Sequence, residues 1–451
     1  MAAGSFSESL RKSIHILMVG FAFLLRWLTW QQAAALALLA LLHNWLLLPR
    51  YGRSRLYRRD DRQRGYPVGI LLYPLSILAL VLIFRHRLDI VAAAWGLLAF
   101  GDGFATLAGT RFGAHKLPWN PRKSWAGSAA FLVAGAAGAS LLVWWTRFAG
   151  GREPWDPVAV LVAPLLAALL ASALESLPSL IDDNLSVPLL SAGFLYCIGL
   201  IDPALLLGDG PRLAAAALMG LGINLVLSAG AYLAGSVDWT GVVIGTTTYT
   251  ILYTFLGPAG FAVGAAFFVL AMLSTKLGLK VKQARGIAQE QGGARGAKHV
   301  VANCSLAAFF AILAAGTPYH GLFALGAVAA LATAAADTCS SEIGKFLGRR
   351  TYLVTTFRPV APGTEGAVSL EGTLAGLVAA ALLAAFAWGL GLLPPPAAAL
   401  VVPAALVGTS FESYLGAGLG SRHVYDNEVM NFLNTLVGAA AAMAASTLLA
   451  G

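Results

Sequence analysis

Residues 319–338 read YHGLFALGAVAALATAAADT. No charged side chain interrupts the run between Gly321 and Ala336, and a carboxylate, Asp337, stands at its end. A helix needs about 20 apolar residues to cross the hydrocarbon core of a bilayer, so this stretch is a membrane span with an acid in its last turn. Runs of the same kind recur along the whole chain. Only 11% of the 451 residues are charged and 58% are hydrophobic, with a mean hydropathy of +0.75. A soluble domain carries roughly 25% charged residues. These figures exclude a soluble enzyme with one anchor and a large extramembrane domain. Three cysteines, Cys197, Cys304 and Cys339, lie far apart and outside any C-x-x-C, which excludes a disulfide framework or a zinc ribbon. The net charge of +9 reads as basic loops held on the cytoplasmic side, not as a nucleic-acid surface.

The pattern predicts an all-α polytopic membrane protein of about 15 transmembrane helices. They run from 13–30 to 429–449, and 238–256 and 257–275 count as two adjacent spans. The first span follows Arg11 and Lys12 and runs to Trp30 with no small-residue cleavage site, so it reads as uncleaved. The segment 50–65, RYGRSRLYRRDDRQRG, places seven arginines against two aspartates and is expected on the cytoplasmic side. Counting spans from there puts 109–123, 176–185, 276–299, 339–368 and 412–428 on that same side.

Acids in or beside apolar helices are costly and therefore functional candidates. Asp102 closes a span in GDGFATLAG. Lys116, Arg122 and Lys123 follow in KLPWNPRKSWAGS, then Glu175, Asp182, Asp183 and Asn184 in ESLPSLIDDNLSVPL. Carboxylates beside lysines and arginines, with glycine and serine between, are what a magnesium-nucleotide needs. The acids hold Mg²⁺ through oxygen, the cations pair with phosphates, and glycines let the backbone approach. A second cluster holds Asp337, Glu342, Lys345, Arg358, Glu412, Asp426, Asn427 and Asn431. The halves run in parallel. Asp102 to Gly109 matches Asp337 to Gly344; Ser124-Trp-Ala-Gly127 matches Ser369-Leu-Glu-Gly372; Glu175-Ser and Asp183-Asn match Glu412-Ser and Asp426-Asn. This order predicts an internal duplication into two related bundles, as in other membrane folds.

GDGFATLAGTRFG, KLPWNPRKSWAGS and ESLPSLIDDNLSVPL resemble the phytol and farnesol kinases, relatives of dolichol kinase within a wider CTP-using membrane group. The dolichol branch tends to carry Lys-Thr-x-Glu-Gly where this chain has Lys123-Ser-Trp-Ala-Gly127, which favours phytol or farnesol kinase. The second half resembles phytyl-phosphate kinases through STKLG, GGARGAKHVVANC, ADTCSSEIGK, LVTTFRPVAPGTEGAVSLEGTLA, ESYLGA and DNEVMNFLNT. The two resemblances imply domains at 1–205 and 206–451. The first would phosphorylate a prenyl alcohol with CTP or UTP, and the second would phosphorylate the resulting monophosphate. Asp102, Glu175, Asp183, Asp337, Glu342 and Glu412 would be catalytic. Asp102, Asp182, Asp183, Asp337 and Asp426 would hold Mg²⁺. Lys116, Arg122, Lys123, Ser124, Gly127, Lys345, Arg358, Gly363, Thr364, Ser369 and Gly372 would contact nucleotide or phosphate. Asn184, Asn427 and Asn431 would assist. The reaction would take place at the cytoplasmic interface, where a lipid-soluble isoprenoid meets a water-soluble nucleotide.

No G-x-x-x-x-G-K-[ST] occurs, so a P-loop kinase is excluded. The seven histidines form no i, i+4 pair that would suggest metal ligation. The competing enzyme reading is a cytidylyltransferase making a CDP-activated lipid. A transporter is the competing class, but its sites should lie near mid-membrane, whereas these acids cluster at span ends.

Overall fold

The computed structural model of the protein describes residues 8–51, 56–57, 61, 65–151, 153–154, 156–176, 182–289, 294–419 and 427–450. The chain divides into two compact units, Met1–Gly199 and Leu200–Gly451.

It is a polytopic helical membrane protein. Eleven helices among the described residues are long and apolar enough to cross a membrane. One of them, Trp239–Lys276, is 38 residues long and broken at Gly257, whose φ of 68° and ψ of −168° are not helical. In a straight helix Tyr249 and Gly264 would stand about 22 Å apart. The Tyr249 hydroxyl instead donates to the Gly264 carbonyl at 3.0 Å, and the Tyr249 and Phe261 rings lie 6.4 Å apart. The chain therefore folds back at Gly257-Pro258, giving the two adjacent spans the sequence predicts. Glycine is required there because only a residue without Cβ adopts that backbone readily. Shorter helices, Val68–Ile83 and Asp183–Ile198, account for two more of the expected segments. The N-terminal one is a helix, Glu8–Leu17, continued by a 3₁₀ stretch, Met18–Arg26. Within it the Arg26 guanidinium lies 4.6 Å from the ring centre of Trp145.

Each unit is built around the helix that carries its acid. In the first, Leu88–Phe112 has 72% of its span window buried, and in the second His320–Leu347 has 89%. The other long spans range from 11% to 61%. Surrounding the acid-bearing helix with apolar helices keeps its carboxylate away from lipid. The central helix of the second unit packs closely because alanine fills it: Ala324, Ala327, Ala329, Ala330, Ala332, Ala334 and Ala335 are all buried. Both central helices continue past the acid, to Phe112 and to Leu347, whereas the sequence places each acid at its span's end. A π-type turn, Leu97–Asp102, widens the first helix and ends on its acid.

After each central helix comes a short antiparallel hairpin, the strand content that an all-α expectation leaves out. In the first unit β1 (Lys116–Leu117) pairs with β2 (Asn120–Ser124). In the second, β3 (Thr351–Leu353) pairs with β4 (Ala367–Ser369), with Thr351 opposite Ser369. Each hairpin ends on a serine that caps the next helix. Ser124 Oγ accepts from Gly127 N at 3.2 Å, and Ser369 Oγ accepts from Gly372 N at 3.1 Å. A Cβ added to Gly109 would lie 3.3 Å from Ser124 Oγ, and one added to Gly344 would lie 3.1 Å from Ser369 Oγ. The small residues are thus where two backbones meet, in the same way in both units.

Candidate active sites

In the first unit, Asp102, Glu175 and Asp183 converge. One carboxylate oxygen from each lies within 4.8 Å of the others. Three elements bring them together. Asp102 closes the π-type turn, Glu175 sits in the last turn of the helix Val158–Ser176, and Asp183 opens the helix Asp183–Ile198. Asp102 and Glu175 are each only 4% exposed, so their charge must be balanced nearby.

Two lysines balance it. Lys123, on β2, pairs with Glu175 and lies 3.2 Å from Asp183. Burial opposes its charge, but the carboxylates of Asp183 and Glu175 outweigh that and hold its pKa above the usual lysine range. Lys12, from the N-terminal helix, pairs with Asp102. His15 Nε2 stands 3.6 Å from the same carboxylate and 3.1 Å from the Leu98 carbonyl. The hairpin is tied to the Glu175 helix through Asn120, whose amide donates to the Ser176 carbonyl at 3.0 Å.

Lys116 and Arg122 share the hairpin with Lys123 and are exposed. Asp182 stands apart from the three-carboxylate group. It caps the helix Asp183–Ile198, accepting from the backbone and side-chain nitrogens of Asn184 at 3.0 and 2.6 Å. Ser124 and Gly127 form the helix cap already described.

In the second unit a cavity of about 350 Å³ gathers most of the predicted residues: Asp337, Lys345, Gly363, Thr364, Ser369, Gly372, Glu412, Asn427 and Asn431 all line it. Glu412 accepts from the Asn434 amide and adjoins Asp337. Two predicted residues stand elsewhere. Arg358 is exposed and does not line the cavity. Glu342 is fully buried behind it, paired with Lys282 at 2.5 Å and with Lys345 at 3.2 Å. Asp426 lies outside the described residues.

Sequence reasoning missed Lys12, His15, Lys282 and Arg295. Arg295, 8% exposed, lines the second cavity and donates to Thr275 Oγ1 at 3.3 Å. The available signal was a basic residue at the mouth of an apolar run: Lys12 precedes the first span, and Lys282 and Arg295 fall in the basic loop 276–299, whose one acid is Glu290.

Fold and sites together define a polytopic membrane protein whose two units each bring carboxylates and ammonium or guanidinium groups together beside a buried helix. The chain belongs to the family described as integral membrane protein DUF92, whose model matches residues 222–439. An uncharacterised membrane protein of Synechocystis is 41% identical over 196 residues, which cover 43% of this chain and 76% of that protein. Protein VTE6, chloroplastic, of Arabidopsis thaliana is 39% identical over 201 residues, covering 43% of this chain and 60% of that protein. Phytol kinase 1, chloroplastic, of the same plant is 32% identical over 193 residues, covering 40% and 62%. The matches to the two plant proteins thus span less than two thirds of their length. No solved structure matches the chain.

Proposed function

We propose that the protein is a bifunctional isoprenoid kinase. The first unit phosphorylates a prenyl alcohol such as phytol with CTP or UTP, and the second adds a phosphate to the monophosphate. The observation that carries this reading is the convergence of Asp102, Glu175 and Asp183 with Lys123 among them. Similarity to proteins named phytol kinase supports the alcohol as substrate.

Three carboxylate oxygens so close together are the hard donor set that Mg²⁺ prefers, so these residues fit a magnesium-nucleotide. Bound there, the ion would neutralise phosphate charge. Lys123, with Lys116 and Arg122 on the same hairpin, would pair with the phosphates and align the γ-phosphorus. The alcohol oxygen forms a bond to that phosphorus while the bond to the β–γ bridging oxygen breaks, releasing the nucleoside diphosphate. The hydroxyl proton passes to a carboxylate of the group. Because phosphoryl transfer depends mainly on positioning and charge neutralisation, this inventory is sufficient. In the second unit the attacker is already anionic. Lys345 and Arg295 along the cavity would offset the repulsion between the two phosphates.

Purified protein incubated with γ-labelled CTP and a C20 prenyl alcohol should yield labelled isoprenyl phosphate. Retention of an α-label with release of pyrophosphate would identify a cytidylyltransferase instead.

A further inference from the structure

The first unit contains an apolar chamber of about 630 Å³, within the roughly 300–1,000 Å³ of sites that enclose a small organic molecule. Leu25, Ala37, Ile77 and Val81 line it, and all four are buried. Its polar lining comprises Arg11, His15, His43, Asn44 and Asn184, of which His15 and Asn184 stand nearest the acids. Both lead directly to the carboxylate group: His15 is 3.6 Å from Asp102, and Asn184 follows Asp183 in the chain. Leu36 and Leu39, 41% and 60% exposed, line it too, so the chamber opens toward the lipid-facing surface.

Asn184 supplies the chemical argument. It is 7% exposed, and its Nδ2 donates to Asp182 Oδ1 at 2.6 Å, which fixes the orientation of the amide. Its Oδ1 is buried and has no hydrogen-bond partner among the described residues. A buried acceptor left unsatisfied is costly, and the cost is relieved by a ligand that brings a donor. An alcohol O–H is such a donor. A phosphate monoester, largely ionised at neutral pH, offers mainly acceptors.

We propose that this chamber holds the hydrocarbon chain of the alcohol substrate, admitted sideways from the bilayer, with Asn184 Oδ1 accepting from the hydroxyl of the bound alcohol and holding it beside the Asp102–Glu175–Asp183 group, to one of whose carboxylates the proton turns as the bond to phosphorus forms. The proposal rests on the kinase reading and names the substrate site within it. Lipid tails are as apolar as the chamber's leucines, so moving a prenyl chain out of the bilayer gains little by itself. Selectivity then comes from shape and from the hydroxyl. The site discriminates alcohol from monophosphate, as the first of two consecutive transfers requires.

A diazirine-bearing C15 prenyl alcohol, photolysed with the detergent-solubilised full chain and no nucleotide, tests this. Labelling should fall on the helices Glu8–Leu17, Met18–Arg26, Trp30–Arg50 and Val68–Ile83. Excess phytol should suppress it, and phytyl phosphate or diacylglycerol should do so far less. Ala37→Phe should cut that labelling at least tenfold and lower turnover of a C20 alcohol more than that of a C10 alcohol. Asn184→Leu should weaken competition by phytol about tenfold, the worth of one buried hydrogen bond. Asn184→Gln, which keeps both the acceptor and a donor for Asp182, should restore it. Labelling outside these helices, equal suppression by the monophosphate, or labelling unchanged in Ala37→Phe would overturn the proposal. The photolabelling needs no turnover. Chamber labelling without kinase activity overturns the kinase reading alone, and kinase activity with labelling elsewhere overturns the chamber alone.

Discussion

Lys282 Nζ lies 2.5 Å from Glu342 Oε2, and neither side chain has any exposed surface. The ammonium also donates to the carbonyls of Ser274 and Thr275, at 3.2 and 2.7 Å, so its hydrogen-bonding capacity is filled within the fold. It ties the short helix Leu279–Ala284 to the central helix of the second unit. Removing Lys282 leaves the buried Glu342 carboxylate with Lys345 alone, 3.2 Å away, and breaking a buried pair costs about 3–5 kcal/mol. Lys282→Met should therefore lower the thermal unfolding temperature in detergent sharply. The double variant Lys282→Met, Glu342→Met should recover most of that loss, because a buried ion pair replaced by apolar residues is often neutral. The double variant also separates two roles for Glu342. Stability regained with phosphate-kinase activity retained makes it structural; stability regained with activity lost makes it catalytic.

The acids were legible in the sequence because carboxylates are rare in apolar runs, so Asp102, Glu175, Asp183, Asp337 and Glu412 stood out one by one. Their partners were not. Lys12 precedes Asp102 by 90 residues, and Lys282 precedes Glu342 by 60. A basic residue in a loop has an ordinary explanation in membrane orientation, and nothing in the spacing says which carboxylate it will meet. Asp182 shows the converse. Its chemistry matched its neighbour's, but the first residue before a helix is also where an acid caps free N–H groups, and there the fold uses it. Parallel order in the two halves was legible from short motifs. That each motif closes the same contact, with Gly109 against Ser124 and Gly344 against Ser369, required the hairpins to be seen.

Gly257 gives a test of the fold itself. Its φ of 68° and ψ of −168° lie in a region open almost only to glycine, and an added Cβ would meet nothing within 4 Å. Substitution there would thus act through backbone strain and not through a clash. Gly257→Ala should destabilise the protein by about 1–3 kcal/mol. Gly245→Ala, at a helical position where an added Cβ also meets nothing, should be neutral or slightly stabilising. Equal unfolding temperatures for the two variants would mean that the chain does not fold back at Gly257.

Lys123 and Asp183 lie 3.2 Å apart but should fail differently. Asp183→Asn removes a carboxylate from the group that fits Mg²⁺, so alcohol phosphorylation should fall by several orders of magnitude and not return at high nucleotide. Lys123→Ala removes a phosphate partner present in both ground and transition states, so it should mainly raise the nucleotide KM. It also leaves Glu175 buried without its ammonium, so unfolding temperatures of both variants are needed beside the kinetics. Wild-type turnover in Asp183→Asn would remove that residue from the site.

The two-step reading makes the strongest demand, because it requires each unit to fail alone. Asp102 belongs to a group that is complete within the first unit, and Asp337 lines a cavity that is complete within the second. Asp337→Asn should leave the first transfer intact, so that isoprenyl monophosphate accumulates and no diphosphate forms. Asp102→Asn should block the alcohol but still convert added monophosphate to diphosphate. Were the two units one composite site, either substitution would abolish both steps. Were one unit kept only for packing, its substitution would leave the products unchanged. Conservative Asp→Asn changes preserve volume, and the adjoining Glu412 carboxyl offers the new amide at position 337 a partner, so loss of fold is a weaker explanation there than loss of charge. At position 102 the amide leaves Lys12 without its counter-ion, so that variant must be compared at matched expression and unfolding temperature. Mass spectrometry of the products from alcohol and from monophosphate, each with excess CTP, separates the three outcomes.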